Sequence, residues 1–98
     1  MLDEFLRQLQ VELAANRWVL IPRSKNLQSI AAHGLTLRDV YRAISHLSDK
    51  NYSKVPMPDR NGDPTPVWIF RKKIGGKQFY IKLKLDPQVG VKCISFHD

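Results

Sequence analysis

Gln78-Phe79-Tyr80-Ile81-Lys82-Leu83-Lys84-Leu85 alternates strictly between polar and apolar side chains. A period of two is that of a strand with one face on a core and the other open. Phe79, Ile81, Leu83 and Leu85 therefore point inward, and Gln78, Tyr80, Lys82 and Lys84 point outward. Working outward, Val67–Ile74 and Val91–His97 are two further apolar, β-branched runs. Gly75-Gly76 between the first two strands is a two-residue turn signal, and Asp86-Pro87-Gln88-Val89-Gly90 supplies the second connection.

The preceding half reads differently. Leu2, Leu6, Leu9 and Leu13, with Phe5 beside them, make residues 2–15 an amphipathic helix. Trp18-Val19-Leu20-Ile21 is a short strand stopped by Pro22, and Lys25–His33 is a short helix that Gly34 ends. Thr36 is an N-cap with Asp39 three positions on. Leu37, Val40, Tyr41, Ile44 and Leu47 follow at helical spacing, giving a helix over about 37–47. Residues 49–66, with four prolines and Asp59-Arg60-Asn61-Gly62-Asp63, read as a long loop, a feature often functional on a small domain. Helices first and an antiparallel meander afterwards predict one α+β domain over 1–98, its helices packed on one face of a small antiparallel sheet.

Composition narrows the function. Sixteen Lys+Arg against nine Asp+Glu give a net charge of +7, and a 43% apolar content supports a real core. A single Cys excludes an internal disulfide and a Cys-based zinc site. No apolar run reaches 18 residues, and the start, Met1-Leu2-Asp3-Glu4, lacks a basic n-region, so the expected location is the cytoplasm, away from membranes. Residues 71–92 hold seven basic side chains opposed only by Asp86. Such an excess favours a polyanion or an acidic protein, set against a lysine-rich surface that serves solubility alone.

Register decides which polar groups meet. With Gly75-Gly76 as a two-residue loop, Ile74 pairs with Lys77 and Arg71 falls opposite Tyr80. A four-residue loop at 87–90 would keep Ile94 and Phe96 on the apolar face and set Tyr80 against His97, with Cys93, Ser95 and His97 on the open face. Opposed side chains lie about 5 Å apart at Cβ. Arg71, Tyr80 and His97 would form one row, with Lys82 and Ser95 in the next. That row holds the parts for RNA cleavage. His97 suits acid–base work near neutral pH, Arg71 a bidentate phosphate contact, Lys82 a point charge, and Tyr80 proton donation or base stacking. Lys84, Lys73 and Gln78 extend the face as RNA-binding groups. The alternative is that His97 is a tail residue and Tyr80 merely shields the sheet. His33 and His46 read as surface or cap histidines, and Cys93 as an unreactive thiol.

The stretch from about Gly34 to His97 resembles the MqsR family of type II toxins. The likeness rests on Gly34-Leu35, Leu47-Ser48 with Asn51-Tyr52-Ser53-Lys54, Val67-Trp68, Gln78-Phe79-Tyr80-Ile81-Lys82-Leu83 and Ile94-Ser95-Phe96. The resemblance implies a RelE-like fold and a ribosome-independent, metal-independent mRNA endoribonuclease that uses no cofactor and is neutralised by a cognate antitoxin protein. The family's catalytic set is a lysine after the third helix, a glutamine after the tryptophan, a tyrosine in the penultimate strand and a lysine near the C-terminus. By motif position these fall on Lys54, Ile69, Tyr80 and His97. Two are kept, the terminal lysine becomes another group able to carry charge or a proton, and the glutamine is lost. Arg71, two residues on from Ile69 on the same face, is placed to take over that role. A non-catalytic nucleic-acid-binding module, or a cationic face that docks an acidic protein, are the rival readings.

Overall fold

Three helices lead the chain: α1 (Leu2–Ala14), α2 (Ser24–Ala32) and α3 (Leu37–Ser45), with the short strand β1 (Trp18–Leu20) between the first two. Strands β2 (Tyr52–Met57), β3 (Val67–Ile74), β4 (Lys77–Asp86) and β5 (Gly90–His97) follow. This computed structural model describes residues 1–57 and 65–98, with the side chains of 54–57 left aside. None of the described helices is long and apolar enough to cross a membrane.

Local chemistry sets the helix limits. Thr36 Oγ1 accepts from the Asp39 N–H at 3.2 Å, and the Asp39 carboxylate accepts from the Thr36 N–H at 2.8 Å, closing the capping box that opens α3. The Thr36 N–H and hydroxyl hold the Asp39 carboxyl below the usual carboxylate range. Gly34, at φ +65°, turns the chain out of α2.

The sheet order is β1-β5-β4-β3-β2. Phe5, Leu9 and Leu13 of α1 and Val40, Ala43 and Ile44 of α3 join Phe70, Phe79, Ile81, Leu83, Val91 and Phe96 in one core. Phe5 stacks on Trp68 with ring centroids 4.6 Å apart. Burying an aliphatic or aromatic side chain of this kind contributes roughly 1.5–3 kcal/mol. The apolar face of β4 therefore holds the helices, and the opposite face is left for polar work.

Three expectations need correction. The sheet is mixed, because β1 runs parallel to β5, pairing Trp18 with Val91 and Leu20 with Cys93. The first half of the loop expected over 49–66 is regular structure: Asp49–Asn51 is a 3-10 turn, and Tyr52–Met57 is an edge strand antiparallel to β3. The Tyr52 ring packs against Trp68 and Phe70 at 5.8 and 5.7 Å, which rewards the pairing, and an edge strand tolerates Pro56. The Asp59–Asp63 run lies outside the described residues. Third, Cys93 lies on the core face, 0% exposed. The β4–β5 connection has three residues, so Asp86 pairs with Gly90 and Leu83 with Cys93. A bulge then restores the register, and Lys82 pairs with Ser95 and Tyr80 with His97. The shorter loop and the bulge at Ile94 cancel, so the expected row forms by a different route.

Candidate functional site

The Gly75-Gly76 turn, with both residues at positive φ, fixes the β3–β4 hairpin so that Arg71 lies opposite Tyr80. Across β4 the Tyr80 and His97 rings stack with centroids 5.4 Å apart and planes inclined by 28°. The Arg71 guanidinium carbon stands 5.5 Å from the Tyr80 ring centre, and Lys82 Nζ stands 6.0 Å from it. Tyr80 is thus flanked by a cation on one strand and an imidazole on the other, each within cation–π or stacking range.

Second contacts hold this row. Arg71 Nε donates to Ser53 Oγ at 3.1 Å, and Asn51 Nδ2 donates to the Arg71 carbonyl at 3.2 Å. Those bonds leave the two terminal amino groups of Arg71 available for a bidentate anion. The His97 ring nitrogen Nδ1 lies 3.2 Å from the Asp98 backbone oxygen. An oxygen of that kind only accepts, so Nδ1 carries the proton and Nε2 is the basic nitrogen of the ring.

The end of β5 is tied to α2. Ser29 Oγ donates to Asp98 Oδ1 at 2.6 Å and accepts from the Asp98 N–H at 3.1 Å, while His33 Nε2 lies 2.9 Å from Oδ2. The Ser29 and His33 bonds lower the Asp98 carboxyl to about 2. Asn26, 1% exposed, spans the bulge: Nδ2 donates to the carbonyls of Ile21 and Ile94 at 2.9 and 3.0 Å, and Oδ1 accepts from the Phe96 N–H at 2.9 Å. It does for β5 what β1 would do if it continued, since the last bond between those segments is Ile21 N–H to Cys93 C=O.

A cavity of about 490 Å³ opens over the row. Arg71, Gln78, Tyr80, Lys82, Ser95 and His97 line its sheet side, and Arg23, Lys25 and Asn26 line its helix side. Among the described residues Asp98 is the one carboxylate that lines it, already engaged by Ser29 and His33. The other charged residues of the described lining are cationic, which suits a phosphate-bearing ligand.

Of the residues singled out in the sequence, the fold brings Arg71, Gln78, Tyr80, Lys82 and His97 together in this cavity. Lys73 is exposed and pairs with Gln78, one row further out. Lys84 was expected to be open to RNA, but it is 4% exposed and outside the cavity lining. Lys54, expected at the mouth of a loop, instead occupies β2 with its backbone opposite Ile69. Ile69 is 2% exposed and opposite Lys82, so the two positions carried over from the resemblance share one row with Lys82 and Ser95.

Sequence reasoning missed Arg23, Lys25 and Asn26. A signal existed for the first two: they sit at the start of a helix with no acid in its first turn, where the macrodipole disfavours cations. Asn26 had no such signal, because its role depends on a bulge 68 residues away.

Comparison with protein families returns a match over residues 4–98 to the family described as motility quorum-sensing regulator, toxin of MqsA. No curated protein matches the chain.

Proposed function

Since the chain belongs to the MqsR toxin family, the toxin side of a type II toxin–antitoxin system whose partner is the antitoxin MqsA, we propose that it is an endoribonuclease that cleaves single-stranded mRNA in the cytoplasm and so inhibits translation and growth. The observation that carries this reading is the Arg71–Tyr80–His97 row, at spacings of 5.5 and 5.4 Å, lining a cationic cavity.

Cleavage by the neighbouring 2′-hydroxyl needs no external nucleophile. The 2′-oxygen attacks phosphorus, the bond from phosphorus to the 5′-oxygen breaks, and the products are a 2′,3′-cyclic phosphate and a 5′-hydroxyl. His97 Nε2 takes the 2′-hydroxyl proton, and the Tyr80 hydroxyl gives a proton to the leaving 5′-oxygen. Arg71 holds the two non-bridging oxygens and balances the charge that builds on them, with Lys82 and Lys54 adding positive potential. Gln78 and Lys73 bind the strand beside the row. The chemistry is thus supplied by side chains, without a metal ion or cofactor.

A second reading is favoured by Ile69. An isoleucine, buried, stands where the family has a catalytic glutamine, as expected of a module that binds RNA or antitoxin without cutting. Purified protein and an end-labelled single-stranded RNA, with a chelator present, separate the two. The nuclease reading expects cleavage that falls by about 10²–10⁴-fold in Tyr80→Phe and His97→Ala while RNA binding persists. Binding without cleavage across RNAs of varied sequence would leave only the module.

A further inference from the structure

The helix-side wall of the cavity has no part in the chemistry above, yet it is as cationic as the sheet side. Arg23 and Lys25 are exposed and line the cavity, and neither meets a carboxylate among the described residues. Their position runs against helix electrostatics: Arg23 is the N-cap of α2, Lys25 lies in its first turn, the cap lacks a side-chain hydrogen bond, and no acid offsets them. Two cations held there work against the helix, which points to a purpose outside folding.

A second feature of the cavity suits a ligand of the same chemistry. Ser95 lines it on the sheet side and carries a hydroxyl that can donate to a phosphate oxygen. It pairs with Lys82, in the row beside that of Tyr80 and His97 and between the two cationic walls.

We infer that the cavity takes two consecutive phosphates of one RNA strand, the scissile one on Arg71, Tyr80 and His97 and its neighbour on Arg23 and Lys25, with Ser95 donating to the backbone between them. This assignment rests on the endoribonuclease reading for which phosphate is scissile, and it adds the subsite that recognises the substrate as a polymer. A polynucleotide carries one phosphate per nucleotide, so a strand crossing from the sheet wall to the helix wall must bring a second phosphate with it. A dinucleoside monophosphate has none to offer and should be a poor substrate.

The test pairs a phosphate change with a protein change. Short RNAs carry a neutral methylphosphonate on the 5′ or the 3′ side of the scissile position, and each has a non-cleavable counterpart with a 2′-deoxy sugar there. The wild-type chain should lose about 10–100-fold in kcat/KM, and in affinity for the deoxy counterpart, when one of the two neighbours is neutralised, the range of a charge-assisted contact. Arg23→Ala with Lys25→Ala should show that loss on the all-phosphate RNA and no further loss on the methylphosphonate. The slope of log affinity against log salt should become shallower by about 0.7 per phosphate contact removed. Arg38→Ala with Lys50→Ala, two exposed cations away from the cavity, serves as the charge-matched control and should behave as wild type. Both pairs of residues are exposed, so the variants should melt no lower than wild type. Losses that simply add, or wild-type indifference to both methylphosphonates, would overturn the subsite while leaving the cleavage reading intact. No cleavage, with coupled loss in binding, would sink the nuclease reading and keep the subsite. Neither cleavage nor binding would overturn both.

Discussion

Replacing Asn26 by alanine should cost the protein about 2–4 kcal/mol and disturb the site more than its distance from the chemistry suggests. The side chain is 1% exposed and makes three bonds, at 2.9, 3.0 and 2.9 Å. Not all three count equally. The Ile21 carbonyl keeps the Arg23 N–H at 2.8 Å, so it is not orphaned. The Phe96 N–H points at Asn26 and away from β4, and losing its acceptor leaves a buried donor unpaired, worth about 1–3 kcal/mol. The Ile94 carbonyl adds about 1 kcal/mol as an ordinary lost bond. At roughly 4–8 °C per kcal/mol for a chain of this size, the melting temperature should fall by roughly 10–30 °C. The second effect concerns register. Without the bulge, β5 would set Ile94 opposite Lys82 and Phe96 opposite Tyr80, taking a fully buried ring out of the core and moving His97 off the row. Urea denaturation gives the stability change, and cleavage rates corrected for folded fraction give the effect on the site. A change below about 0.5 kcal/mol, with unaltered activity, would refute the role assigned to this clamp.

Three other outcomes follow from named contacts. Gly90 stands at φ +89°, and a Cβ there would run into the Arg17 backbone carbonyl that accepts the Val91 N–H at 2.9 Å, so Gly90→Ala should destabilise by about 2–4 kcal/mol in a denaturant titration, more than the 1–2 kcal/mol of the backbone conformation alone. Burial pushes the Cys93 thiol up to about 12 and leaves it 0% exposed, so an alkylating reagent should label it only at the rate of unfolding; rapid labelling of the native chain would contradict that. The Asp98 carboxyl lies at about 2 when folded against 3.8 as the reference, so its bonds to Ser29 and His33 stabilise the fold fully above about pH 4 and are lost as pH falls toward 2. Melting curves across that window should drop more steeply for wild type than for Asp98→Asn, the difference removing the parallel contributions of Asp39 and Asp86.

How much of this was legible in the chain depended on how local each cause is. The capping box at Thr36 and Asp39 and the paired glycines at 75–76 act over a few residues, and both appear where the sequence puts them. The alternation of β4 was equally readable, because period two leaves one assignment of faces once a core exists. The face of Cys93 was not, since it turns on the difference between a three-residue and a four-residue connection and on a bulge whose stabilising partner comes from α2. Tyr52–Met57 was hidden for a related reason: an edge strand that contains a proline looks like loop until Trp68 and Phe70 are there to receive Tyr52. The sheet half of the cavity followed from strand register. The helix half did not, because nothing within α2 states which surface its first turn will face.

The cleavage product tests the central claim most directly. An RNA labelled at its 5′ end, incubated with the purified chain and then mapped, should give a 5′ fragment ending in a 2′,3′-cyclic phosphate, and a single 2′-deoxy sugar at the cleaved position should abolish the cut. A fragment ending in a 3′-hydroxyl, or a cut that survives the 2′-deoxy substitution, would contradict the assignment of the Arg71–Tyr80–His97 row to attack by the 2′-hydroxyl.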